Sequence, residues 1–108
     1  LAKLANGDVV TTYTPGFAGT IKKISFVVTD PATTASKAAT LNLEIGTTDL
    51  TGGAVALTSA NCATKGAVVA GSAITGANVF SETDQISVEA SAVTAFAEGS
   101  GMLVIVMG

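Results

Sequence analysis

Glu82 and Asp84 stand two residues apart just ahead of an apolar run, and Cys62 is the only thiol in the chain. Paired carboxylates can act as acid and base or hold calcium, and a thiolate can act as a nucleophile. Each feature also has a plainer reading. Two acids in a turn are ordinarily solvated, and calcium requires more oxygen ligands in an ordered loop than this stretch offers. A lone cysteine between Asn61 and Ala63 reads as a small buried apolar residue. The chain contains no histidine, which excludes Ser-His-Asp and Cys-His catalysis and most zinc or copper sites. No glycine-rich loop ends in Gly-Lys-Ser/Thr, so a phosphate cradle of that type is absent. The residues therefore assign no catalytic group, no cofactor and no metal, and the chain reads as something other than an enzyme.

The charge pattern narrows the partners. The net charge is −3, and all five basic residues are lysines, Lys3, Lys22, Lys23, Lys37 and Lys65. That distribution lacks the basic footprint needed for phosphate neutralisation or for an anionic membrane, so nucleic acid and membrane are excluded as partners. Lys22-Lys23 is the one basic pair. Neighbours in a strand face opposite ways, so Lys22 is expected on the side of Ile24, Phe26 and Val28, at a sheet margin. Charged residues are 12% of the chain, about half the usual quarter. A free surface normally carries more charge for solubility, so part of this surface is expected to be covered in an assembly. There is no tryptophan and one tyrosine, Tyr13. That disfavours a sugar site built on stacked rings and leaves Phe17, Phe26, Phe80 and Phe96 as core or interface anchors.

The elements that would present such a surface are strands. At 108 residues the chain is one domain's worth, and a single cysteine permits no internal disulfide. Leu41, Leu43 and Ile45 alternate with Asn42 and Glu44, and Ile86, Val88 and Ala90 alternate with Ser87, Glu89 and Ser91. This is the period of strands with one wet face. Ile24, Phe26 and Val28 form a third apolar face, Val55 and Leu57 a fourth, and Val9 to Tyr13 and Val68 to Val69 are further strands. Met102 to Met107 is apolar on both faces, which marks a central strand or one covered by a neighbour. Ala32 to Ala39 is expected to be a loop carrying at most a short helical turn. Glycines punctuate the runs, and Gly52-Gly53 reads as a hairpin turn between Leu50 and Val55. The spacing predicts an all-β antiparallel sandwich of about eight strands.

Residues 1–108 are read as one domain, with 1–7 as an arm or linker. No signal peptide is recognised, and a start at Leu1 rather than methionine reads as a processed or fragment boundary. The residues expected in the core or at an interface are Leu41, Leu43, Ile45, Ile86, Val88, Val104, Ile105 and Val106.

Four stretches carry a resemblance: Val10-Thr11-Thr12-Tyr13-Thr14-Pro15-Gly16-Phe17, Ala38 to Thr48, Leu50 to Asn61, and Asp84 to Phe96. Together the chain resembles small virion proteins of tailed bacteriophages, in the class of capsid decoration and head-fibre domains. The resemblance implies a jelly-roll β-sandwich, usually trimeric, on the exterior of a phage particle. Its implied partners are copies of itself and the major capsid protein or another virion protein. The alternative expectation is a receptor-binding or carbohydrate-binding tip domain of a phage fibre.

Overall fold

The structure is a computed structural model that describes residues 6–108, with the side chains of residues 8–12 excepted. The described residues form nine strands and no helix: β1 (Gly7–Tyr13), β2 (Gly19–Asp30), β3 (Ala38–Ile45), β4 (Thr48–Asp49), β5 (Val55–Thr58), β6 (Val68–Ala70), β7 (Val79–Phe80), β8 (Ile86–Thr94) and β9 (Ser100–Met107). All pairings are antiparallel. The larger sheet runs β1-β8-β3, with β4 and β5 both on the far edge of β3; in the smaller sheet β2 carries β6 and β7 along one edge and β9 along the other.

The two sheets pack through their apolar faces, as a sandwich requires. Ile24, Phe26 and Val28 from β2 meet Leu41 and Leu43 from β3 and Ile86, Val88 and Ala90 from β8 in one buried cluster, joined by Val55, Leu57, Phe80 and Phe96. The all-β, two-sheet expectation from alternation is therefore met. The strand order supports a sandwich and does not establish the jelly-roll winding that the resemblance implies. Residues 1–5, most of the proposed arm, lie outside the described residues.

Local expectations are corrected at Lys22 and at Gly52-Gly53 and narrowed at two further places, the loop at 31–37 and β9. The register of β2 against β9 slips between Ile21 and Lys23. This bulge turns Ile21 into the core and leaves both Lys22 and Lys23 exposed; a bulge breaks the strict two-residue period that placed Lys22 on the core side. Residues 31–37 are the expected loop, without a helical turn, and Ala38 and Ala39 already belong to β3. The backbone N–H groups of Thr33 and Thr34 donate to one carboxylate oxygen of Glu98, each at 2.6 Å, and the two threonine hydroxyls donate to the same carboxylate. Ser59 Oγ donates to the Thr34 carbonyl and accepts from the Lys37 N–H. Those long-range bonds occupy groups that a helical turn would have used. Gly52-Gly53 does not close a hairpin. β4 and β5 each pair with β3 at different points, and the intervening loop bonds instead to residues 72–76. Finally, of the two readings of Met102 to Met107 the central strand is excluded: β9 is an edge strand, paired among the described residues with β2 alone.

The bonds to Glu98 have a pH signature. Hydrogen bonding from Thr34, and secondarily from Thr33, holds the Glu98 carboxyl below its ordinary value against an opposing desolvation effect. A depressed carboxylate contributes stability fully above its unfolded value, about pH 4.3, and the contribution is lost as pH falls through the lower folded value. Glu98→Gln is therefore expected to melt below the parent protein at neutral pH, with the gap closing as both are taken below about pH 4. Thermal melts across pH check this. A gap of constant width would mean that the charge of Glu98 plays no part.

Candidate interaction surface

The smaller sheet presents an outer face whose composition is set by its register. Val68, Val27 and Met102 lie directly opposite one another on β6, β2 and β9, and Ala70, Ser25 and Val104 form the next row. Val106 follows, opposite Lys23. Directly paired residues project to one side of a sheet, so these rows form one continuous surface. Four of its apolar members are open, Val68 at 63% exposed, Met102 at 59%, Val106 at 45% and Val104 at 39%, and Val27 between them is half-buried. Lys22 and Lys23 stand at one end of the ladder and Asp30, opposite Ser100, at the other. No loop of the described residues covers it.

The inner face of β9 is also incompletely covered. Leu103, Ile105 and Met107 are half-buried. With Tyr13, Ile86 and Val88 from the larger sheet they line an apolar groove of about 330 Å³. It lies where the edges of both sheets, β1 and β9, come to the same side of the sandwich. Among the described side chains of its lining, the Tyr13 hydroxyl is the one polar group.

Of the residues singled out from sequence, Leu41, Leu43, Ile86 and Val88 are buried, and Ile45 sits half-buried at the core margin. Val104 and Val106 lie on the outer face and Ile105 on the groove side, so the β9 group divides between two surfaces. Sequence reasoning did not place Val27, Val68 or Met102 among the surface residues, and weighed Tyr13 only as the single tyrosine open to a sugar site. The parity of β9 already joined Met102 to Val104 and Val106, but only the register between strands could add Val27 and Val68.

The residues considered for chemistry are placed apart from this surface. Cys62 is fully buried; burial pushes its thiol up, opposed by a hydrogen bond from the Thr58 backbone, and its Sγ donates to Asn61 Oδ1 at 3.3 Å. Asp84 caps its own turn, accepting from the Ser81 N–H at 2.8 Å, while Glu82 is exposed. A different acidic group gathers on the outer face of the larger sheet, where carboxylate oxygens of Glu44, Asp49 and Glu89 lie within 4.8 Å of one another. Glu44 and Asp49 are cross-strand partners on β3 and β4, and Glu89 joins them from β8. This cluster arises from strand pairing, so Glu89, far along the chain from Glu44 and Asp49, gave no sign of it in the sequence.

No protein-family model matches the chain, and no curated protein and no solved structure matches it.

Proposed function

We propose that this protein is a virion structural protein of the bacteriophage decoration or head-fibre kind, which binds copies of itself and a capsid or other virion protein on the particle exterior. The observation that carries the reading is the open apolar face formed by Val68, Val27, Met102, Val104 and Val106, on a chain with about half the ordinary charge. Contiguous exposed apolar surface of this kind marks a contact site. A protein that coats a shell requires area, symmetry and a stable β scaffold, and requires neither histidine nor a charged cleft. The sequence resemblance supplies the phage and the three-fold unit; the apolar face supports self-association without setting its number.

Recognition of a receptor or sugar at a fibre tip is the second reading. Tyr13 and Phe17 are the exposed aromatic residues among those described, at 51% and 45%, and the Phe17 ring is engaged edge-on with Phe80 at 5.6 Å. Tyr13 alone is a thin basis for ring stacking.

Locating the chain in intact particles tests the proposal. Copies in proportion to the capsid lattice are the expected result. A handful of copies at vertices or tail would favour the tip reading, and absence from the particle would remove both.

A further inference from the structure

β9 is an unusual edge. Natural sheets blunt their edges with short strands, charges, proline or bulges, because a free edge offers unpaired N–H and C=O groups to another chain. The other edges here follow that rule. β4, β5, β6 and β7 are two to four residues long, and the β1 ladder slips twice, between Asp8 and Val10 and between Val10 and Tyr13. β9 runs for eight residues, Ser100 to Met107, with neither charge nor proline. It pairs without a slip from Lys23↔Val106 to Val28↔Gly101.

The ladder also decides which groups face outward. Thr20 and Gly108 exchange both backbone hydrogen bonds. Antiparallel pairs alternate between bonded and non-bonded, so Gly108, Val106, Val104 and Met102 bond toward β2. The N–H and C=O groups of Gly101, Leu103, Ile105 and Met107 point to the free edge.

We propose that β9 pairs edge to edge with β9 of a second copy, antiparallel about a two-fold axis through Val104. The inference rests on the self-association reading above and replaces the three-fold unit with a two-fold one. Only this register both matches outward-bonding residues with each other and uses the whole strand. Leu103 pairs with the partner copy's Ile105 and Gly101 with its Met107, forming about eight backbone hydrogen bonds. Met102 faces Val106 and Val104 faces Val104 on the outer side. Met102, Leu103, Val104, Ile105 and Val106 thus each meet an apolar side chain, Met107 lies over Gly101, and no charge enters the seam. The two outer faces become one surface, and the partner closes the open side of the groove at Leu103, Ile105 and Met107. Size agrees. Eight residues span about 27 Å on a molecule 21 Å across its shortest axis. That side offers at most roughly 550 Å² per copy as a flat area, about 1,100 Å² over two copies, which clears the roughly 1,000 Å² expected of a biological interface and lies below the size of the tightest ones.

Sedimentation and engineered disulfides on the full chain test this. The unmodified protein is expected to sediment as a dimer at micromolar concentration. Val104→Lys, which sets two ammonium groups against each other on the axis, is expected to weaken dimerisation about 100-fold or more with the β-sheet circular dichroism unchanged. Val104→Cys is expected to give a covalent dimer on oxidation, because directly opposed residues of a non-bonded pair lie within disulfide reach; Cys62 is buried and does not compete. Met102→Cys and Val106→Cys, each unreactive alone, are expected to cross-link when mixed. A trimer in which Val104→Cys stays uncross-linked would overturn the two-fold seam while leaving self-association intact. A monomer would overturn both and leave the edge to a strand of a different protein. A covalent dimer from Met102→Cys alone would overturn the register.

Discussion

Replacing Leu43 with alanine is expected to lower the unfolding free energy by about 2–5 kcal/mol, through lost transfer energy and the cavity left behind. Leu43 is 2% exposed. It lies opposite Val88 in the pairing of β3 with β8, at the centre of the face that packs on β2. Its neighbours belong to strands held by continuous ladders and can collapse only partly into the space. Asn42, one position earlier, projects to the other side of the same strand opposite Glu89, and Asn42→Ala is expected to stay within about 0.5 kcal/mol. Chemical denaturation with an unchanged slope would measure both. Equal losses at the two positions would show that the strand faces are assigned the wrong way round.

A loss of about 2–5 kcal/mol is also expected from Gly52→Ala, at a position whose exposure would suggest tolerance. Gly52 has φ +87°, in the region that penalises any Cβ, and a Cβ there would run into the Ala73 carbonyl oxygen. The obstacle is backbone. The surrounding loop is also held in place, by Gly53 N–H to the Ser72 carbonyl at 3.1 Å, Thr51 N–H to the Gly76 carbonyl at 3.0 Å and Thr75 N–H to the Thr51 carbonyl at 2.8 Å. Relief therefore requires the loop to pull away from residues 72–76. Gly46 provides the comparison. It also has positive φ, +63°, but a Cβ would meet nothing within 4 Å. Gly46→Ala is expected to cost only the left-handed strain, about 1–2 kcal/mol. If the two variants melt alike, the close approach of Gly52 to Ala73 contributes nothing.

Local pattern carried much of this protein. Alternation at Leu41 to Ile45 and at Ile86 to Ala90 identified β3 and β8, because one buried face imposes a two-residue period on the chain wherever the strand is regular. The same pattern located β1, β2, β5, β6 and β9, and the absence of histidine limited the chemistry before any contact was known. β4 and β7, each two residues long, are too short to show a period.

What only the tertiary structure decided depends on partners distant in sequence. The slip of β2 against β9 exposes Lys22 with Lys23, and no single-strand pattern announces a bulge whose cause is the neighbouring strand. Glu98 reaches back to Thr33 and Thr34 across more than sixty residues, so the loop at 31–37 is shaped by an acceptor that its own sequence does not contain. The run Met102 to Met107 showed that both faces of β9 are apolar, but it could not show that the strand is an edge. Apolarity reports what a strand tends to bury; whether a neighbour is there to bury it is settled by the order of strands, which among the described residues leaves one side of β9 open.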